Sequence, residues 1–338
     1  MALEDDVWRI ARDAGLVKEW PGDRLGEWAS KFAGEDHPQL AGHPVVQMLR
    51  QRITGLQARS YRWVRNADRA QAIERLIAKL PDDVTGVAGV PRSGIAPAAE
   101  ISMRLHLHLY AIGPAQDLTA LNGGWRFSRS PSDRGALLVV DDTVCSGASF
   151  RRLEPRLRMT RRNRKVYTAV IFSAPDATRV VDFHGEVLPT PHLLEWNFAN
   201  SIYAPSMALD FDGVLCHDPP DYSYDDDGPK YAEFLETTKP LYPFRMVPIE
   251  LIITGRIERY REQTLRWLKK HGMSCKRLVM APFASAAERN RNNMGAWKAS
   301  ELLKTTFPMF VESDPEQAKT IASIAKRPVL CPTAGVFQ

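Results

Sequence analysis

Two pairs of aspartates stand out in this 338-residue chain because of where they sit. Asp210 and Asp212 close the stretch ALDFDGVLC (208–216), where an apolar strand delivers two carboxylates to a turn that Gly213 permits. Carboxylates two residues apart can bracket one Mg²⁺, and one can attack phosphorus in line while the other supplies and removes protons. Asp141 and Asp142 follow a second apolar run in LLVVDDTVCSGAS (137–149), and the small residues Cys145, Ser146, Gly147, Ala148 and Ser149 then open a helix. Consecutive backbone N–H groups in such a loop converge on an anion, and the helix N-terminus adds partial positive charge. The Ser146 and Ser149 hydroxyls can donate to the same phosphate. At the C-terminal end of a parallel strand, the two carboxylates could hold ribose hydroxyls or a hydrated Mg²⁺.

A second loop accompanies Asp141 and Asp142. In GVAGVPRSGIAPAAE (86–100) a strand ends in Pro91-Arg92-Ser93-Gly94 before a helix. Together the two segments resemble the type I phosphoribosyltransferases. The resemblance implies that Asp141 to Ser149 bind phosphoribosyl pyrophosphate and that Arg92, Ser93 and Gly94 contact its pyrophosphate. Cys145-Ser146 stands where that family more often has Thr-Thr or Ala-Thr, which preserves a hydroxyl. Asp117 to Arg129 (DLTALNGGWRFSR) falls where the family carries a flexible catalytic loop, so Arg126 is expected to stabilise charge on the leaving pyrophosphate. Trp196 falls where the family's hood stacks the base, with Glu195 or Asn197 reading base edges. The alternative for Trp196 is a place in the core of the lobe.

Asp210 and Asp212 have company too. LIITGR (251–256) brings Thr254, GAWKASELL brings Lys298, and MFVESDPEQA (309–318) brings Glu312 and Asp314. In this order they resemble the four motifs of the haloacid dehalogenase superfamily. The resemblance implies Asp210 as nucleophile, Asp212 as general acid and base, Thr254 on the phosphoryl group and Lys298 as the neutralising cation. Mg²⁺ would be held by Asp210, Asp212 and an acid of the last motif. That motif usually reads Gly-Asp or Asp-Asp, so Asp314 is set slightly ahead of Glu312. The gaps between motifs leave no room for a large cap domain. The insertion 217–231 is only a flap, with Asp225, Asp226 and Asp227 read as solvated. An open site of this kind implies a large substrate, or one covered by another domain.

These residues need strands and helices to position them. From Val84 onward short apolar strands alternate with helices, the pattern of a doubly wound parallel α/β sheet, and a fresh series starts at Met207. The expected division is a helical segment 1–60, a phosphoribosyltransferase-like domain 61–204 with a hood lobe at 181–204, and a capless dehalogenase-like domain 205–338. With 44% hydrophobic and 25% charged residues, wholesale disorder is excluded. The net charge of +5 suits phosphates or nucleic acid. The basic run Arg151 to Lys165 reads first as a solvated helix face and second as a phosphate or nucleic-acid surface. The composition admits a nucleic-acid partner and a homodimer but requires neither. Four cysteines without ligand spacing, an acidic N-terminus without an apolar core, and no apolar run of roughly 18 residues predict a cytoplasmic protein with reduced thiols and no membrane partner.

The expected function is bifunctional. One site would transfer the phosphoribosyl group between phosphoribosyl pyrophosphate and a nucleobase. The other would hydrolyse a phosphomonoester, the nucleotide product being one candidate, through an aspartyl-phosphate with Mg²⁺. Two alternatives stand beside it: a phosphatase whose first domain only recognises its ligand, and a ligand-sensing regulator that binds nucleic acid.

Overall fold

The computed structural model describes residues 61–113, 117–121, 135–145, 147–201, 203–219, 228–245 and 248–338. The helical expectation for 1–60, Arg126, Ser146 and the acids 225–227 lie outside the described residues.

Val64–Trp196 forms one compact unit. After β1 (Arg62–Val64) come α1 (Asn66–Ile77), β2 (Val84–Gly89), α2 (Ile95–Leu105), β3 (His108–Ile112), β4 (Leu118–Ala120), β5 (Ala136–Val144), α3 (Ala148–Thr160), β6 (Val166–Ser173), β7 (Phe183–Val187) and β8 (His192–Leu194). The main sheet has the order β4-β3-β2-β5-β6-β7, parallel throughout except for β4 at one edge. Central β5 is apolar because it is covered on both faces. Leu138 and Val140 meet Ile73 of α1 and Ile101 of α2, while Leu137 and Val139 meet Phe150, Leu153 and Leu157 of α3. That alternation is the doubly wound arrangement the sequence predicts.

Three local expectations change. β5 does not stop at Val140 but runs on through Asp141 and Asp142, because β6 keeps pairing with it as far as Val144. Residues 183–187, expected in an irregular lobe, pair with β6 as the sheet's edge strand. Residues 118–120, expected at the start of a flexible loop, form the opposite edge against β3.

Trp63 and Asn197–Gln338 belong to the other unit. Its elements are β9 (Met207–Leu209), α4 (Pro229–Thr237), β10 (Ile249–Ile257), α5 (Arg261–Lys270), β11 (Cys275–Ala281), α6 (Ala286–Asn290), α7 (Met294–Leu303), β12 (Met309–Val311), α8 (Pro315–Ala325), β13 (Val329–Cys331) and β14 (Gly335–Phe337). The sheet order β11-β10-β9-β12-β13-β14 is parallel up to β13, and β14 closes the edge antiparallel. Ala208, Leu251, Ile253, Phe310 and Val329 pack against Ala299 and Leu302 of α7 and Ile321 of α8. Residues 197–204 join this unit rather than the first. Phe198 sits edge-on against Trp63, Tyr242 and Phe244 with centroids 5.3, 4.9 and 5.9 Å away. Among the described residues, no helix is long and apolar enough to cross a membrane.

Candidate active sites of the two units

In the C-terminal unit, β9 ends at Leu209 and the Asp210 amide donates to Val311 O of the neighbouring strand, which anchors the first carboxylate. Lys298 from α7 reaches it from the side. Its Nζ donates to Asp210 Oδ2 at 2.8 Å and to Glu312 Oε2 at 2.6 Å, with all three side chains buried. Burial disfavours the ammonium, but the charges of Asp210 and Glu312 outweigh it and raise the Lys298 pKa. Glu312 is raised as well, by burial first and then by the Asp210 charge. Asp210 Oδ1 is buried and has no hydrogen-bond partner.

Asp212 is differently placed. Arg256 Nε donates to Oδ2 at 3.0 Å and its Nη2 to Oδ1 at 2.6 Å, while the Cys216 thiol donates to Oδ1 at 3.2 Å. Burial alone would raise this carboxyl, yet the Arg256 charge and hydrogen bonds hold it below the usual 3.8. In this arrangement Asp212 is a firmly ionised partner of Arg256. Gly213 turns the chain just beyond, at φ 69°. A Cβ there would lie 2.4 Å from Ser313 Oγ and 2.5 Å from Asp218 Oδ2. Thr254 is buried on β10, its hydroxyl accepting from the Arg256 amide at 3.2 Å. Asp314 caps α8, its Oδ1 accepting from the Glu316 and Gln317 amides at 2.8 and 3.0 Å.

Asp210, Asp212, Thr254, Lys298, Glu312 and Asp314 therefore share one cavity of about 970 Å³. Among the described residues no group of three or more His, Cys, Asp or Glu side chains is arranged as a ready metal site. The reason is visible: Lys298 occupies Glu312 and Arg256 occupies Asp212. The acceptor left for a divalent cation is Asp210 Oδ1, which has no hydrogen-bond partner among the described residues. Sequence reasoning missed Arg256 and Asp218. Arg256 lies two residues beyond Thr254 on β10, where the pairing with β11 shifts register between Thr254 and Ile257. Asp218 lines the cavity, and partial burial followed by the charges of Asp212 and Asp210 pushes its carboxyl up to about 6.

In the N-terminal unit, Asp141 and Asp142 are both buried near the C-terminal end of β5. Asp141 is raised by burial first and the Asp142 charge next, and it accepts from the Asp142 amide at 2.9 Å. Ser93 Oγ donates to Asp142 Oδ1 and Trp196 Nε1 to Asp142 Oδ2, both at 2.9 Å. Ser93 of the loop Pro91 to Gly94 thus touches Asp142. The Pro91–Arg92 peptide is cis, and Arg92 is exposed. Gly147 precedes α3, whose first residues are Ala148 and Ser149, and Cys145 is exposed beside them. His192, unremarked in the sequence, meets Thr143 Oγ1 at 2.8 Å and Cys145 Sγ at 3.9 Å.

Trp196 is partly buried against the core of this unit. Phe172 stacks against it with centroids 6.3 Å apart and planes at 28°, and the Arg69 guanidinium lies 4.9 Å from the ring centroid. Its N–H is given to Asp142, so the ring braces that acid. Four cations of the basic run have partners within the unit. Glu154 pairs with Arg158 and Arg161, Lys165 with Asp83, and buried Arg164 donates to Gly135 O, Tyr110 Oη and Thr85 Oγ1.

No protein-family model matches the chain, and no curated protein matches it. Among solved structures, similarity is found to a xanthine-guanine-hypoxanthine phosphoribosyltransferase of Helicobacter pylori, 19% identical, covering 41% of this chain and 92% of that one with a TM-score of 0.34. A purine phosphoribosyltransferase of Pyrococcus horikoshii is 18% identical over 41% of this chain and 94% of that one, TM-score 0.31. An orotate phosphoribosyltransferase of Aeropyrum pernix is 20% identical over 36% and 71%, TM-score 0.28. At such identities and scores the likeness says nothing of what the chain does, and the sites themselves must carry the functional reading.

Proposed function

We propose that the C-terminal unit is a phosphomonoester hydrolase of the haloacid dehalogenase type. The observation that carries this reading is the buried Asp210–Lys298–Glu312 cluster, with Asp210 Oδ1 left unpartnered on a cavity that Thr254 also lines. The charges of Asp210 and Glu312 keep the buried Lys298 an ammonium against the cost of burial, and that ammonium faces the carboxylate proposed as nucleophile. The Asp210 carboxylate attacks phosphorus, the P–O bond to the alcohol breaks, and the departing oxygen takes its proton from water in the cavity, because Arg256 holds Asp212 ionised and so removes it from the general-acid role expected from the sequence. Water then attacks the aspartyl-phosphate, releasing inorganic phosphate and restoring Asp210. Thr254 is placed to donate to the phosphoryl oxygens, and Lys298 offsets the charge of nucleophile and phosphate. Arg256 orients Asp212 beside the nucleophile. When bound at Asp210, Mg²⁺ supplies charge neutralisation to the transferring phosphoryl group.

For the N-terminal unit the proposal is phosphoribosyl transfer. The C1–O bond to pyrophosphate breaks as a C1–N bond to a base forms, with the 93–94 loop and the start of α3 holding phosphates. Each oxygen of Asp142 accepts one bond within the protein and keeps a second acceptor position, so the ribose hydroxyls still have a place. Recognition of the same ligand without transfer is the second reading, favoured by the contacts that Phe172 and Arg69 make with Trp196.

The test is mass spectrometry of the full chain with Mg²⁺, phosphoribosyl pyrophosphate and a panel of nucleobases, comparing wild type with Asp210→Asn. Nucleoside from wild type and accumulated nucleotide from the variant is the expected result. Ester hydrolysis without base consumption would leave the recognition reading. Hydrolysis by Asp210→Asn at the wild-type rate would sink the nucleophile assignment.

A further inference from the structure

The hydrolase reading uses one end of the C-terminal cavity and leaves the other without a task. At about 970 Å³ the space is far larger than a phosphoryl group needs, and it lies near the top of the roughly 300–1,000 Å³ range of sites for drug-sized ligands. Beside the apolar Tyr231 and Met294, the remaining wall carries amides and a hydroxyl, from Asn290, Asn292, Asn293, Gln317 and Thr320.

Their internal hydrogen bonds show what they have left to offer. Asn293 Oδ1 accepts from the Ala296 amide at 2.9 Å and so caps α7, which leaves its N–H groups as donors. Asn292 Nδ2 donates to Glu288 O at 2.8 Å, which leaves its carbonyl as acceptor. The Thr320 hydroxyl donates to Glu316 O at 2.8 Å, leaving oxygen lone pairs. Gln317 Oε1 is buried and has no hydrogen-bond partner, a state that is costly until a donor arrives. These groups form one surface because Gly295 lets α7 and α8 approach. A Cβ at Gly295 would come within 2.9 Å of Thr320 Cβ and 3.2 Å of Gln317 Cα. Donors and acceptors set side by side at fixed spacing are what the edge of a nucleobase requires. A hydrocarbon or aryl leaving group would strand them unpaired.

We infer that this wall binds the nucleoside part of a nucleotide whose phosphate lies at Asp210, with Gln317 and Asn292 accepting from the base and Asn293 donating to it. The inference rests on the hydrolase reading for the position of the phosphate. It makes a nucleoside monophosphate, rather than a simple sugar or aryl phosphate, the ester that fits.

The test is calorimetric titration of the full-length Asp210→Asn protein with the four ribonucleoside 5′-monophosphates, ribose 5-phosphate and inorganic phosphate. At least one nucleotide is expected to bind tenfold or more tighter than ribose 5-phosphate. Adding Gln317→Leu, or independently Asn292→Ala, should weaken that nucleotide about tenfold, and the two variants on separate elements guard against a folding defect in either. Equal affinities for nucleotide and ribose 5-phosphate, or affinities untouched by both substitutions, would overturn the assignment. A parallel assay of wild type with Mg²⁺ separates the two claims. Absence of ester hydrolysis sinks the hydrolase reading alone, while the titration still decides what the wall binds.

Discussion

At the residue scale the decisive contrast is between Asp210 and Asp212, two carboxylates two residues apart with opposite partners. Asp210 keeps an oxygen free, whereas Asp212 is clamped by an arginine whose side chain is fully buried. Removing one partner of such a pair costs about 3–5 kcal/mol because the other charge is left uncompensated. Arg256→Met is therefore expected to lower the urea-unfolding free energy at pH 7 toward the lower part of that range, since Asp212 keeps some exposure, and Arg256→Met/Asp212→Asn should recover part of it. The sign with pH follows from the depressed Asp212 pKa. Its stabilisation is present above the ordinary value of 3.8 and is lost as pH falls through the lower folded value. The gap between wild type and Arg256→Met should thus narrow only in that acid range. Asp218 works in the opposite direction. Its folded pKa of about 6 exceeds 3.8, so the metal-free protein loses stability as pH rises between the two and holds the loss above them. Asp218→Asn should melt at a higher temperature than wild type at pH 7 in the presence of a chelator, with the gain mostly gone at pH 4. Scanning calorimetry at the two pH values checks it, and a gain that is equal at both would refute the acidic-crowding account.

At the scale of elements, positioning depends on loops that leave no room for side chains. Gly94 lies where a Cβ would fall 2.4 Å from Val140 O and 2.8 Å from both Val90 N and Val90 O, all backbone atoms that cannot step aside. Gly94→Ala is expected to cost about 1–3 kcal/mol through forced displacement of the loop. It should also weaken phosphoribosyl pyrophosphate binding by moving Ser93 off Asp142. A thermal melt and a ligand titration test both halves, and unchanged binding would separate this loop from the phosphate site. The same scale explains what the sequence could reveal. LLVV before Asp141 and LIIT up to Thr254 read as strands because each is buried on both faces and so lacks polar interruptions. The edge strand Phe183–Val187 stayed hidden because His184, Gly185 and Glu186 break any apolar run, and an edge needs only one good face. The continuation of β10 through Arg256 was equally hard to see, since a buried arginine looks like the end of a strand until its partner Asp212 is placed. Asp210, Asp212, Thr254, Lys298, Glu312 and Asp314, which the sequence groups with Asp314 slightly ahead of Glu312, do line one cavity. The contacts of Trp196 were not legible, because nothing local to Trp196 says that Phe172 and Arg69 meet its ring.

At the scale of the whole molecule, two sheets with separate cores hold two separate sets of acids. The acids of each site and the partners named for them belong to one unit, so the two chemistries should be separable by substitution. Substitutions at distant sites without shared partners generally act additively. Asp142→Asn removes the charge that Ser93 and Trp196 support, and it should cut base consumption by 100-fold or more. Hydrolysis of an added nucleotide by the same variant should stay near the wild-type rate. Asp210→Asn should show the reverse, and the double variant should lose both activities without further loss of either. Product-resolved kinetics on the four proteins would test this, with nucleotide supplied externally and, separately, formed in place. If externally supplied nucleotide is cleaved as fast as nucleotide formed in place, the two sites share only a chain. If the nucleotide formed in place is cleaved faster, and a trapping enzyme in solution cannot intercept it, the fusion itself contributes by raising the local concentration of product at the second site.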